Sequence, residues 1–161
     1  MERYGLLGGR LGHSLSPQIH AALGDYEYRL YEKRADEAVE FLLHGDYDVI
    51  NVTIPYKKLA YELCAEVTDE AEELKNVNVV VKRFDGTLWG DNTDAYGFAK
   101  LVEAVGGVVE GGKCVVLGTG GAGATAMAVL RRMGAGSVVG VSRTGADNYE
   151  NLERHADALM V

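Results

Sequence analysis

Proline, cysteine and tryptophan are scarce in this 161-residue chain: there are two, two and one. The cysteines, Cys64 and Cys114, each sit in an apolar run and form no CxxC pair. That excludes the disulfide framework of a small secreted domain and a thiol-rich metal site. It predicts reduced, buried thiols and a cytoplasmic location. No apolar run approaches the roughly 20 residues needed to cross a bilayer. The N-terminus "MERYGLLGGRLGHS" lacks the apolar core of a signal peptide. Positive charge is in deficit: 16 Lys and Arg stand against 24 Asp and Glu, a formal net charge of -8. Nucleic acid and anionic membranes reward clustered cations, so neither is expected as a partner. A small anionic ligand needs only a local positive site and stays open.

Glycine is what the chain has in excess, 21 residues, many in "GLLGGRLG", "VGGVVEGGK" and "GTGGAGA". Clustered glycines mark tight turns and places where a ligand approaches the backbone. With 47% hydrophobic and 25% charged residues, the length suits one good domain or two small ones.

Periodicity divides the chain into alternating elements. Tyr4–Leu7 reads as a strand. Ser16-Pro17 starts a helix, hydroxyl cap then proline, that stops at Gly24. "YEYRLYE" alternates like a half-buried strand, and "ADEAVEFLLHG" is an amphipathic helix closed by Gly45. "YDVINVTI" is a continuous apolar strand, as in a parallel sheet covered on both faces. Pro55 opens the helix "YKKLAYELCAE". "TDEAEELK" is a short helix capped by Thr68 or Asp69, and "VNVVVKRFDGTLWG" is a hairpin turning at Asp85-Gly86. Thr93 or Asp94 caps the helix "AYGFAKLVEAVG". From Gly106 the pattern becomes strand, glycine loop, helix, strand, short helix and the start of a third strand. This predicts an α/β protein: an N-terminal α/β domain with a mostly parallel sheet over residues 1–100, then the first half of a Rossmann-type domain over 101–161. The boundary falls along the helix at about residues 94–105.

Gly118-Thr119-Gly120-Gly121-Ala122-Gly123 satisfies G-x-G-x-x-G between a buried strand and a helix. In that context the first glycine permits the turn and the second lets a pyrophosphate approach. The third allows close helix–strand packing, and helix N-terminal amides face the phosphates. The next strand ends in Ser142-Arg143-Thr144, where an NAD-binding chain usually places a carboxylate for the ribose 2′-hydroxyl. An arginine there suits a 2′-phosphate, so NADP is the expected cofactor. Asp147, slightly beyond, is the residue that speaks against it.

The first half carries a set of polar residues. In "GHSLSPQIH", Ser14 and Ser16 either cap a helix or bind a carboxylate at its N-terminus. Thr53 sits at a strand tip, where open α/β sheets bind ligands, and Lys57 follows one turn on. Asn78 lies among valines, an odd place for an amide without a partner. Asn92, Thr93 and Asp94 cluster before a helix.

Together, "GHSLSPQIH" (12–20), "NVTIPYK" (51–57), "NVNVV" (76–80), "GDNTDAYG" (90–97), "GTGGAGATA" (118–126) and "SRT" (142–144) resemble the shikimate dehydrogenase family and its quinate-using relatives. The order and spacing agree across the chain. The resemblance implies an oxidoreductase interconverting 3-dehydroshikimate and shikimate with NADP, in aromatic amino-acid (chorismate) biosynthesis. It implies that Ser14 and Ser16 hold the substrate carboxylate, and that Thr53, Asn78 and Asp94 hold ring hydroxyls. Lys57 is then the catalytic acid/base with Asp94 as partner, Arg143 takes the 2′-phosphate, and Asp69 lies near the nicotinamide end. Two positions depart from the family pattern: Val79 stands where a threonine is usual, and Ser142 where an asparagine is.

A lysine suits ketone reduction because hydride addition creates an alkoxide. An ammonium stabilises that charge and donates a proton, and the amine takes it back. Members of the family are longer, so the resemblance also implies a C-terminally truncated form. On that reading strand 113–117 has an open apolar edge, a template for self-association. The alternatives are a truncated, inactive or binding-only fragment that keeps the shikimate site, and an enzyme of broader quinate/shikimate specificity.

Overall fold

A computed structural model describes residues 3–161, apart from the Met160 side chain, and divides into two compact units, Met1–Asn92 and Thr93–Val161. The helix placed on the boundary by periodicity, Asp94–Ala104, counts wholly with the second unit.

The first unit is a six-stranded mixed sheet with four helices. Its strands are β1 (Tyr4–Gly8), β2 (Tyr28–Glu32), β3 (Val49–Val52), β4 (Glu66–Val67), β5 (Val79–Lys82) and β6 (Leu88–Asp91), in the order β2-β1-β3-β5-β6-β4. The helices are α1 (Ser16–Leu23), α2 (Ala35–His44), α3 (Lys57–Leu63) and α4 (Asp69–Leu74). β1 runs parallel to both β2 and β3, with Leu7 opposite Val52. The apolar run of β3 is shorter than expected and lies antiparallel to β5 on its other side. The β5–β6 hairpin turns at Gly86, whose φ of 84° suits glycine.

The core is built by side-chain spacing. Ala38 and Leu42, one turn apart on α2, are fully buried, as are Leu7, Ile50, Val77 and Val80. Each such leucine or isoleucine contributes about 2 kcal/mol by leaving water. Tyr47 is buried whole, and its hydroxyl donates to the Leu42 carbonyl, so no polar atom is stranded.

Three local expectations are corrected. Ser16 is the first residue of α1 and not its cap; the N-cap position is Leu15, with no side-chain bond. Pro55 lies before α3: a turn closed by the Tyr56 N–H on the Thr53 carbonyl (2.9 Å) takes up the proline, and the helix starts at Lys57. α3 also stops early, at Leu63, because Ala65 donates to Leu88 (2.9 Å) and the chain is drawn into the sheet as β4. The choice of cap for α4 falls to Thr68, whose Oγ1 accepts from the Ala71 N–H at 3.3 Å.

Arg3 braces the start of the sheet. Its guanidinium and its backbone N–H donate to the Asp48 carboxylate at 2.7 to 3.0 Å. The Arg3 guanidinium first, then its backbone N–H, push the Asp48 carboxyl down to about 2. A depressed carboxylate stabilises the fold fully above its unfolded pKa of about 4, and the contribution is lost as pH falls through about 2. Both side chains are well exposed, so solvent screening keeps the contribution small. Asp48→Asn is expected to be slightly less stable than the parent at pH 6, with the gap closing by pH 2. Urea unfolding at pH 6, 4 and 2 measures it; a gap that persists at pH 2 contradicts the assignment.

The second unit contains α5 (Asp94–Ala104), β7 (Lys113–Leu117), α6 (Gly121–Arg132), β8 (Ser137–Val141), a 3₁₀ helix (Tyr149–His155) and β9 (Leu159–Met160). The sheet order is β8-β7-β9, all parallel. α5 packs on α6, and Val102, Cys114, Val116 and Leu130 form the buried core. Thr93 occupies the N-cap position of α5 without a side-chain cap bond, and Asp94 is its first residue. The open edge expected at 113–117 is absent. The chain returns through the 3₁₀ helix and pairs β9 with β7. Leu117 donates to the Val161 carbonyl and Val161 to the Val115 carbonyl, each at 2.8 Å. β7 is therefore the central strand, and the edge that motivated self-association is already paired.

Candidate active site

The carboxyl ends of the neighbouring parallel strands β1 and β3 bring several of the marked residues together. Gly9 donates to the Ile54 carbonyl at 3.1 Å, joining the loops after the two strands. The approach is close at Gly8: a Cβ would stand 2.7 Å from the Thr53 methyl and 2.5 Å from the end of the Leu11 side chain. Thr53, at the tip of β3, donates its N–H to the Leu7 carbonyl at 2.9 Å and is half-buried. Lys57 opens α3, also half-buried, and its carbonyl accepts from the Val77 N–H at 3.0 Å. Next to Val77, Asn78 is buried; its carbonyl accepts from Val52 (2.8 Å) and its N–H donates to Asp91 (2.9 Å). Backbone bonds thus tie the stations of Thr53, Lys57 and Asn78 to one end of the sheet. Lys58 is different: its side chain is 78% exposed, 3.9 Å from Glu62 one turn on.

Ser14 and Ser16 stand at the mouth of α1. The Ser14 hydroxyl donates to Ser16 Oγ at 3.1 Å, and the Ser16 N–H donates back at 3.2 Å. The network continues into residues that motif reading missed. The Tyr28 hydroxyl, close to Ser16, donates to Asn51 Oδ1 at 2.7 Å. Burial pushes the Tyr28 phenol up to about 12, so it remains a donor at neutral pH. The His20 ring stacks on Tyr28, centroids 3.7 Å apart. The alternation of "YEYRLYE" was the available signal, but the partner Asn51 lies 23 residues away.

Asn92 is a structural amide. It is buried, and its Nδ2 donates to both the carbonyl and the side chain of Asn76. Asp69 is exposed at the start of α4, in a shallow hollow shared with Tyr61, Cys64 and Glu72, beside the β4 edge. No described contact joins it to the Thr53–Lys57–Asn78 group. Asp94, half-buried, begins α5 in the second unit.

In that unit, the glycines of the loop separate by role. Gly118 has φ of 115°, which disfavours any side chain, and its N–H donates to the Val141 carbonyl at 2.8 Å. A Cβ on Gly123 would sit 2.0 Å from the Gly118 carbonyl oxygen, so the third glycine serves helix–loop contact. Cβ atoms on Gly120 and Gly121 would meet nothing within 4 Å. The chain's own packing does not need a glycine at Gly120, whereas a phosphate approaching the start of α6 does. The residues present therefore fit a dinucleotide. Thr119 and Ala122 are exposed along the same loop.

At the tip of β8, Arg143 and Thr144 are exposed, and Ser142 donates its N–H to the Asp147 carbonyl at 3.1 Å. The Asp147 carboxylate is engaged: its Oδ1 lies 2.8 Å from Nε2 of buried His155. His155 also escaped the motif reading. Among the described residues no group of three or more His, Cys, Asp or Glu is placed to hold a metal, and no helix is long and apolar enough to cross a membrane.

A mixed-sheet domain with polar side chains at its strand tips, followed by the opening strand–glycine loop–helix–strand of a dinucleotide fold, defines a two-part α/β class. Residues 6–80 match the model of the shikimate dehydrogenase substrate binding domain. The chain belongs to the shikimate dehydrogenase family. It is 37% identical over 163 residues to a shikimate dehydrogenase (NADP(+)) of Thioalkalivibrio sulfidiphilus, covering 96% of this chain and 59% of that protein. A counterpart in Halothermothrix orenii is 39% identical, with 87% of this chain and 51% of that one covered. The crystal structure of shikimate dehydrogenase from Thermus thermophilus with NADP(H) and shikimate superposes with a TM-score of 0.81. Its identity is 32%, and the match covers 100% of this chain and 63% of that one. The chain thus spans little more than half the length of the curated relatives it matches.

Proposed function

We propose that this chain is an NADP-dependent oxidoreductase that interconverts 3-dehydroshikimate and shikimate, in the cytoplasm, within aromatic amino-acid biosynthesis. The observation that carries the proposal is the joining of Thr53, Lys57 and Asn78 at one sheet end, in the same unit as the paired hydroxyls of Ser14 and Ser16. Ser14 and Ser16 bind the substrate carboxylate. Thr53, Asn78 and Asp94 bind the ring hydroxyls. Lys57 delivers the proton to the oxygen that becomes the alcohol and removes it in the reverse direction.

NADP, when bound, supplies or accepts the hydride. The amides of Gly118–Gly123 would receive its pyrophosphate, and Ser142, Arg143 and Thr144 its 2′-phosphate, with Asp69 assigned to the cofactor by motif position alone. Residues 1–100 carry the substrate site and 101–161 the cofactor site. The acidic balance, net -8, leaves nucleic acid without a role.

Two measurements on the purified chain test this. Shikimate is expected to bind saturably in calorimetry, with affinity reduced at least tenfold by Ser16→Ala. Shikimate-dependent reduction of NADP, followed by absorbance, reports turnover. The same pair of measurements separates a second reading, a binding-only form that keeps the shikimate site. Saturable binding without turnover selects that reading, and no shikimate binding refutes both. Quinate run beside shikimate in the same assay decides the breadth of specificity.

A further inference from the structure

The loop between β8 and the 3₁₀ helix holds one carboxylate, Asp147, at the place where a nucleotide's ribose is read. A free carboxylate there accepts hydrogen bonds from a ribose 2′-hydroxyl and repels a 2′-phosphate. In this chain Asp147 is not free. Its Oδ1 meets Nε2 of His155 at 2.8 Å. A carboxylate only accepts, so Nε2 carries the proton of that bond. The imidazole is buried, its side chain 10% exposed, and its Nδ1 has no partner among the described residues. The bond to Asp147 is therefore the ring's polar anchor as well as the carboxylate's.

The loop around the pair is tied down from several sides. The Ser142 N–H donates to the Asp147 carbonyl, and Asn148 Nδ2 donates to the Gly145 carbonyl at 3.2 Å. Asn148 Oδ1 caps the 3₁₀ helix through Glu150 and Asn151, and Asn151 Nδ2 returns to the Ala146 carbonyl at 2.9 Å. Arg143 is left exposed at the tip.

We infer that His155 is a specificity-positioning residue: by drawing the Asp147 side chain back, it leaves Arg143 as the group that meets the nucleotide's 2′ position. The inference rests on the proposed NADP reading and deepens it. It identifies the sequence feature that argued for NAD, Asp147, as one that the fold has withdrawn.

The test uses adenosine 2′,5′-bisphosphate and 5′-AMP, which need only this half of a dinucleotide site. Their dissociation constants are measured by calorimetry for the whole chain and three variants. The parent is expected to prefer the bisphosphate. His155→Phe fills the ring's volume but releases Asp147, and is expected to lower the preference about tenfold, as one nearby negative charge would. The double variant His155→Phe with Asp147→Asn is expected to restore it. Asp147→Asn alone, which keeps an acceptor for His155, is expected to change the preference less than about threefold. A parent-like preference in folded His155→Phe overturns the inference, as does a large shift in Asp147→Asn alone, which needs no change at His155. A parent that binds the two nucleotides equally overturns the NADP reading itself, so the two failures are distinct.

Discussion

Lys57→Ala is expected to lower turnover of shikimate by a factor of about 10² to 10⁴, the usual worth of a positioned proton donor and acceptor. Shikimate affinity, measured separately, falls far less, because Ser14, Ser16, Thr53 and Asn78 remain. The prediction depends on placement. Lys57 is half-buried at the start of α3, and its carbonyl is pinned by Val77, so its Cα cannot drift. Lys57→Arg separates the two jobs of the side chain: a guanidinium keeps the positive charge but does not give up a proton at working pH. It is expected to bind shikimate and turn it over poorly. Lys58→Ala is the control. Its side chain is 78% exposed and its partner Glu62 stands at 3.9 Å, so turnover and stability should both stay near the parent's. Near-normal turnover by Lys57→Ala at saturating substrate would remove the acid/base role, whatever happens to affinity. These measurements belong in the polypeptide that shows shikimate-dependent NADP reduction.

Gly123→Ala is expected to destabilise the second unit by about 3 kcal/mol or more. A methyl group there would stand 2.0 Å from the Gly118 carbonyl oxygen, a backbone atom that has little freedom. Gly118 cannot yield easily: its φ is 115° and its N–H is bonded to Val141. Either the start of α6 lifts from β7 or the loop re-forms, and both give up core contacts. Gly120→Ala is the contrast. A Cβ there meets nothing within 4 Å, so the stability cost is about 1 kcal/mol or less, from helix capping alone. Binding of the same adenine nucleotides should nonetheless weaken at least tenfold as the methyl fills the path of the 5′-phosphate. Chemical denaturation of both variants checks the pair. Equal stabilities would mean the third glycine is not a packing residue.

Much of the candidate site was legible because its residues sit where local rules put them. Strand tips were marked by the change from apolar to polar at Thr53. The start of α6 was marked by Gly118–Gly123 after a buried strand. Lys57 and Lys58 are neighbours in sequence but differ in burial, the first half-buried and the second 78% exposed at its side chain. Less legible were Tyr28 and Asn51, and His155 with Asp147. The first two meet across 23 residues of chain. The second two sit eight apart across a kinked 3₁₀ helix, a geometry without the fixed period that pattern reading needs. Val79, the departure from the family pattern, stands on β5 and pairs with Asn51 across the sheet.

By its sequence alone this protein determined its alternation of strands and helices, its glycine loop and the kinds of polar group it carries. Those features follow from spacings within a few residues, which backbone geometry converts directly into helix or strand. The tertiary structure decided the rest. It placed β3 between a parallel and an antiparallel neighbour and gave Pro55 to a turn instead of a helix. It closed the edge of β7 with residues 159–161 and drew Asp147 onto His155. Each of those outcomes is a contact between segments remote in sequence, selected by which apolar faces can be buried together and which polar atoms then need a partner.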